Sequence, residues 1–260
     1  MEKPGVQAET PVLIIETING VTPLDDQFGV DDKKTVPDAL YESLWGQLDL
    51  TTKLRTYAIL DAAKVPNLFD QLAATDLHHR CMYKGQAQDD LGHVAPWLVQ
   101  LQEGNSFSRR LFTHDEETND AMGYHWAREP GIFIRTAADL EDVLKHFRKF
   151  TKVKSETGQW HFFRFYDPVI ASDFFKHNRQ DVDLCASFFR SDTVDIHSLI
   201  SVRGRSGTAD IFSVSTKHPI KRIPYLTLTA VYSIPTLPEL SVLSRSRAEA
   251  EAEAEAEAEE

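Results

Sequence analysis

The sequence predicts an α/β protein: a mixed, largely parallel sheet flanked by helices, then a smaller helical lobe and a Pro-flanked extended C-terminal segment. Three observations lead there. Leu54–Leu60 is apolar on both faces in its second half, the pattern of a strand covered by helices on either side. Strand-like and helix-like stretches alternate between residues 54 and 168. Pro219, Pro224, Pro235 and Pro238 then punctuate an otherwise strand-forming run, as suits an edge strand or an extended arm.

The elements follow in order. Pro37 and Asp38 open a helix over 37–50, with Leu40, Leu44 and Leu48 recurring every fourth residue. After the strand at 54–60, Pro66 opens a short helix through Leu68, Phe69 and Leu72. Trp97–Leu101 and Gly131–Arg135 read as further strands. The clearest helix is 137–150, where Leu140, Val143, Leu144 and Phe147 form one apolar stripe. Thr136 and Asp139 have capping-box spacing, and Lys145, His146, Arg148 and Lys149 crowd the negative end of its dipole.

Trp160–Tyr166 is aromatic on both faces and predicts a buried strand. Asp167 and Pro168 then fit the N-cap and first position of a helix that turns Ile170, Phe174 and Phe175 to the core. A second helix is predicted over 180–189. Arg203–Gly207 is a turn, Asp210–Ser215 a short strand, and Tyr225–Tyr232 a further strand-forming stretch. The domains expected are an N-terminal extension with one helix (1–50), an α/β core (51–168) and a mostly helical lobe (169–217). A Pro-rich arm (218–247) and a disordered Glu/Ala tail (248–260) complete them.

Composition narrows the function. The chain has 260 residues and a net charge of −12, of which the Glu/Ala tail supplies seven negative charges. An acidic body argues against general nucleic-acid binding, which needs a basic face to displace phosphate counterions. No stretch approaches the roughly 20 apolar residues of a membrane span, and no signal-type apolar region follows Met1. Two cysteines make no disulfide framework. The expectation is a cytoplasmic protein without a membrane anchor.

Catalytic motifs are absent: no phosphate-binding loop, dinucleotide fingerprint, H-E-x-x-H or G-x-S-x-G. Gly204-Arg205-Ser206-Gly207 falls one residue short of a nucleophile elbow. His78-His79-Arg80-Cys81 is the most metal-like cluster, but adjacent histidines diverge on a helix or strand. His114-Asp115-Glu116-Glu117 reads as a solvated loop. No catalytic, cofactor-binding or metal-binding residue is assigned. Arg164, set among aromatics, needs a carboxylate if buried, and Asp61 or Asp167 is the predicted partner.

Three stretches taken together resemble a known family. They are Tyr57-Ala58-Ile59-Leu60-Asp61-Ala62-Ala63, then Leu91 with Ala95-Pro96-Trp97-Leu98-Val99, then Phe163-Arg164-Phe165-Tyr166-Asp167-Pro168. Their order, with Gly131–Arg135 and a helix ending His146-Phe147-Arg148 between the last two, is similar to the type VI secretion effector adaptor (chaperone) domain, Tap or TEC. The likeness spans roughly residues 54–190. It implies a non-enzymatic cytoplasmic protein, without cofactor, that binds a cognate toxin effector and loads it onto the VgrG spike.

The family's characteristic positions fall here on Asp61, Pro96, Trp97, Arg164, Tyr166 and Asp167, as contact surface or as scaffold. The Pro-flanked arm lies outside the resemblance. Its Leu226, Leu228 and Tyr232 are candidate partner-binding residues, because an extended segment can add a strand to an open sheet edge. It can equally complete the chain's own sheet. Two other functions compete: a small metal-dependent hydrolase or toxin with a site near Asp61, His78, His79 and Cys81, and an immunity protein that binds a toxin to inhibit it.

Overall fold

A computed structural model describes residues 13–49, 51–117, 123–155, 158–215 and 226–227. Its main sheet has seven strands: β1 (Leu13–Asn19), β2 (Arg55–Asp61), β3 (His79–Cys81), β4 (Pro96–Leu101), β5 (Gly131–Thr136), β8 (Ile196–Arg203) and β9 (Thr208–Val214). They lie in the order β1-β9-β8-β5-β2-β4-β3, and every neighbouring pair is antiparallel. A second sheet, in the order β10-β6-β7, holds β6 (Lys152–Lys154), β7 (Trp160–Phe162) and β10 (Leu226–Thr227).

This corrects the predicted fold class. The main sheet is antiparallel throughout, and the segment expected to form a helical lobe supplies β8 and β9, which lie between β1 and β5. The reason is physical. A strand that is apolar on both faces records that both faces are covered, but carries no information about direction. Tyr57 and Ile59 face one core while Ala58 and Leu60 face the other, in the period-two alternation of any strand. Helices do follow several strands, yet the returning strand pairs antiparallel each time.

Among the described residues, six α-helices cover the two faces. On one side α1 (Asp38–Trp45), α2 (Leu68–Ala73) and α4 (Ser106–Arg110) bring Leu40, Leu44, Leu68, Leu72 and Phe107 against Ala58, Leu60, Val99 and Phe133. On the other, α5 (Leu140–Arg148), α6 (Pro168–His177) and α7 (Val182–Ser187) enclose an aromatic cluster. In it Phe150 stacks on Phe188 at 3.9 Å between centroids, and Phe175 meets Phe212 at 4.8 Å. The remaining helix, α3 (Gly85–Leu91), precedes β4 and buries no side chain.

Local chemistry explains the boundaries. The α5 N-cap is Asp139, whose carboxylate accepts the Asp142 amide at 3.0 Å, while Thr136 stays in β5. Helix α1 is shorter than predicted: it ends at Trp45, and Leu48 lies beyond it, exposed. Arg135 helps hold that end. Its buried guanidinium donates to the Gly46 carbonyl and, at 2.7 Å, to the Thr56 hydroxyl, which itself donates to the Leu44 carbonyl. The predicted strand at Trp160–Tyr166 survives only as β7. From Phe163 the backbone turns, so Phe163 and Phe165 both point into the aromatic core while Arg164 points away. In the small sheet, Leu226 and Thr227 pair in parallel with Val153 and Lys154. Leu228, Tyr232 and the Glu/Ala tail lie outside the described residues.

Candidate functional site

The resemblance-bearing residues meet where β2 ends. Asp61 closes that strand opposite Pro96 of β4, and its side chain is buried. Arg164 reaches it from the 163–167 turn and makes an ion pair through Nη2. The predicted partnership therefore forms, with Asp61 as the direct partner and Asp167 farther away at 4.0 Å. Lys64 completes the set, its Nζ 2.7 Å from Asp167 Oδ2 and 3.2 Å from the Glu129 carbonyl.

Each carboxylate oxygen carries a donor. Asp61 Oδ1 accepts the Ala63 amide at 3.0 Å, and Oδ2 accepts Arg164. Asp167 Oδ1 caps α6 by accepting the Val169 amide at 2.9 Å, with Ile170 at 3.4 Å, and Oδ2 accepts Lys64. Two acids and two bases thus neutralise one another in a closed cluster. Burial works against the Arg164 charge, but Asp61, with Tyr166 and Asp167 adding to it, outweighs burial, so the guanidinium sits above its ordinary value. Burial pushes Tyr166 well up, and Tyr83 hydrogen-bonds it. Such a cluster ties β2 to the start of α6. Its carboxylates are committed to held donors rather than poised to take a substrate proton.

Pro96 and Trp97 have equally local roles. Pro96 begins β4, where a missing N–H costs least, and its carbonyl accepts the Met82 amide at 2.9 Å. Trp97 is buried, donates its indole N–H to the Gly92 carbonyl at 2.9 Å, and packs against Phe69 at 5.6 Å and His79 at 5.9 Å. Phe69 is 56% exposed, so this aromatic step reaches the surface.

The competing metal cluster does not assemble. His78 is exposed, whereas Cys81 is buried and its thiol is raised by that burial. His79 turns Nδ1 to the Leu77 carbonyl at 2.8 Å. Among the described residues no group of three or more His, Cys, Asp or Glu side chains converges as a metal site would require. No helix among them is long and apolar enough to cross a membrane.

Sequence reasoning found Arg164, Asp61 and Asp167 because a charge among aromatics demands a partner. It missed Lys64 and Tyr83. Lys64 stands three residues beyond Asp61, which hints at a shared turn; nothing local marks Tyr83. A family model described as "Domain of unknown function (DUF4123)" matches residues 56–181, which run from β2 to the turn before α7 and hold the whole Asp61 cluster. No curated protein and no solved structure matches the chain.

Proposed function

We propose, from the match of residues 56–181 to the DUF4123 model, which is associated with type VI secretion effector adaptors, that this protein is a non-enzymatic adaptor that binds one cognate toxin effector and loads it onto a VgrG spike. The family match carries the reading. The site geometry supports it, because the motif residues are occupied in joining β2, the 163–167 turn and α6. A scaffold of that kind can present different surfaces to different effectors. Recognition then falls to exposed groups around it, such as the Phe69 step and the β6–β7 face, and aromatic side chains are frequent anchors in such contacts.

The test is capture of the tagged protein from the cytoplasm of its own source, with bound partners identified by mass spectrometry. The adaptor reading expects a VgrG protein together with a single toxin. Recovery of neither, with both expressed, overturns it. Recovery of the toxin alone, with its activity abolished in the complex, assigns an immunity role instead.

A further inference from the structure

The segment between β1 and α1 carries a loop whose tip is an aromatic ring in water. Phe28 is 91% exposed and Val30 46%; no other large apolar side chain among the described residues exceeds 58%. A single exposed apolar residue is ordinary where nothing holds it out. Here the backbone is braced around it. Buried Gln27 accepts the Lys34 amide through Oε1 at 2.6 Å and donates from Nε2 to the Lys34 carbonyl at 3.0 Å, closing the loop as a strand partner would. Asp25 Oδ1 accepts the Gln27 amide at 3.1 Å, and Asp26 Oδ1 accepts that of Phe28 at 3.0 Å.

Both ends of the loop are pinned. Leu24 donates its amide to the Phe112 carbonyl at 2.8 Å and accepts the His114 amide at 2.9 Å. On the far side the buried Thr35 hydroxyl accepts the Gly104 amide at 2.7 Å. Gln27 itself sits at φ +51°, a left-handed conformation that a non-glycine residue adopts only when its surroundings impose it. Little ordering therefore remains to be done when the tip meets a partner.

The tip is acidic as well as apolar. Asp25, Asp26, Asp31 and Asp32 flank Phe28, all are exposed, and no Lys or Arg occurs between Asp25 and Asp32. Lys33 and Lys34 follow, with Lys34 paired to Asp38 at 2.6 Å. Four carboxylates oppose insertion of the ring into an anionic lipid surface. The chemistry that matches the tip is an apolar pocket in a protein, with Lys or Arg around its mouth.

We propose that the Phe28 tip is the plug by which this protein holds its toxin: Phe28 and Val30 enter an apolar pocket of the toxin, and the four aspartates meet a basic rim around it. The inference rests on the adaptor reading and names the contact within it. Position favours the toxin over VgrG, because the tip lies outside the family-matched residues 56–181, where a feature fitted to one cognate partner belongs.

The experiment measures, by calorimetry, the affinity of the full chain for the purified toxin recovered with it. Phe28→Ala is expected to weaken binding at least about thirtyfold, the loss of one interface anchor, with the urea midpoint unchanged because the ring is exposed. Asp31→Asn/Asp32→Asn leaves the Asp25 and Asp26 brace intact; it should slow association about tenfold at low salt and flatten its salt dependence. Toxin bound equally well by Phe28→Ala overturns the proposal and leaves the adaptor reading standing. A wild-type chain that recovers no toxin removes the adaptor reading and the proposal with it. Wild-type association that does not respond to salt overturns the basic rim. Self-association, or co-sedimentation with anionic vesicles, that Phe28→Ala abolishes also overturns the proposal, since a second copy or a lipid surface then receives the tip.

Discussion

At the residue scale, Arg164 shows how much a single side chain can announce. A guanidinium flanked by Phe163 and Phe165 must either reach water or find an anion, and Asp61 is that anion. The pair is unequal: the Asp61 side chain is 1% exposed, the Arg164 side chain 38%. Removing the cation strands a buried carboxylate, whereas removing the anion leaves an arginine with access to water. Arg164→Met is therefore expected to cost roughly 3 kcal/mol of stability in urea unfolding at pH 7, and Asp61→Asn less. The double variant should recover part of the Arg164→Met loss. An Arg164→Met cost no larger than that of a surface ion pair, under about 1 kcal/mol, would remove the interlock from the account. Lys64 was not legible in the same way, because a lysine in a polar turn has water as a ready alternative.

At the scale of elements, helix α5 was the most legible part of the sequence and strand direction the least. Its apolar stripe, Leu140, Val143, Leu144 and Phe147, is buried as the 3.6-residue period requires. Yet the same period carries His146 inward. His146 Nε2 meets the Phe188 carbonyl at 2.8 Å, tying α5 to the turn after α7, with the Phe147 and Phe150 rings edge-on. Sequence reasoning placed this histidine among the bases at the negative end of the helix dipole, and charge alone says nothing about which face a residue occupies. Burial lowers its pKa from 6.5 to about 4, with Lys149 adding to the effect. Between those values the unfolded chain takes the proton and the folded chain refuses it, so this contribution is whole above about pH 6.5 and is lost as pH falls toward 4. From pH 7 to pH 5 the wild type should lose about 2 kcal/mol more stability than His146→Gln, which keeps a donor for Phe188. Equal losses in the two proteins, read from urea midpoints, would show that His146 titrates normally.

Strand pairing carries the larger lesson. β2, β4 and β5 were legible as strands, and their two-sided apolarity correctly reports cores on both faces. Their antiparallel order was not, because it depends on which edge each returning strand joins. Gly131 shows how local the deciding contacts are: a Cβ there would run into the Ile59 carbonyl across the β2–β5 pair. β1 was missed for a related reason. An edge strand with a mostly exposed pattern, Leu13 being its only buried side chain, gives little periodic signal until β9 is there to pair with it.

At the scale of the whole molecule, one sheet holds two cores, and an interlocked charge cluster joins the sheet to the aromatic side. The Asp61–Arg164 pair and the Asp167 cap tie that frame together. Function in this account is recognition and transfer, carried by exposed surface on a frame that the family motif holds together. Its central claim is delivery. The most direct measurement deletes this protein in its source cell and follows toxin and VgrG in the secreted fraction. The account predicts that VgrG is still secreted while the toxin is made but stays inside. Undiminished toxin secretion without this protein would contradict it, and a cell newly poisoned by its own toxin would identify an immunity protein in its place.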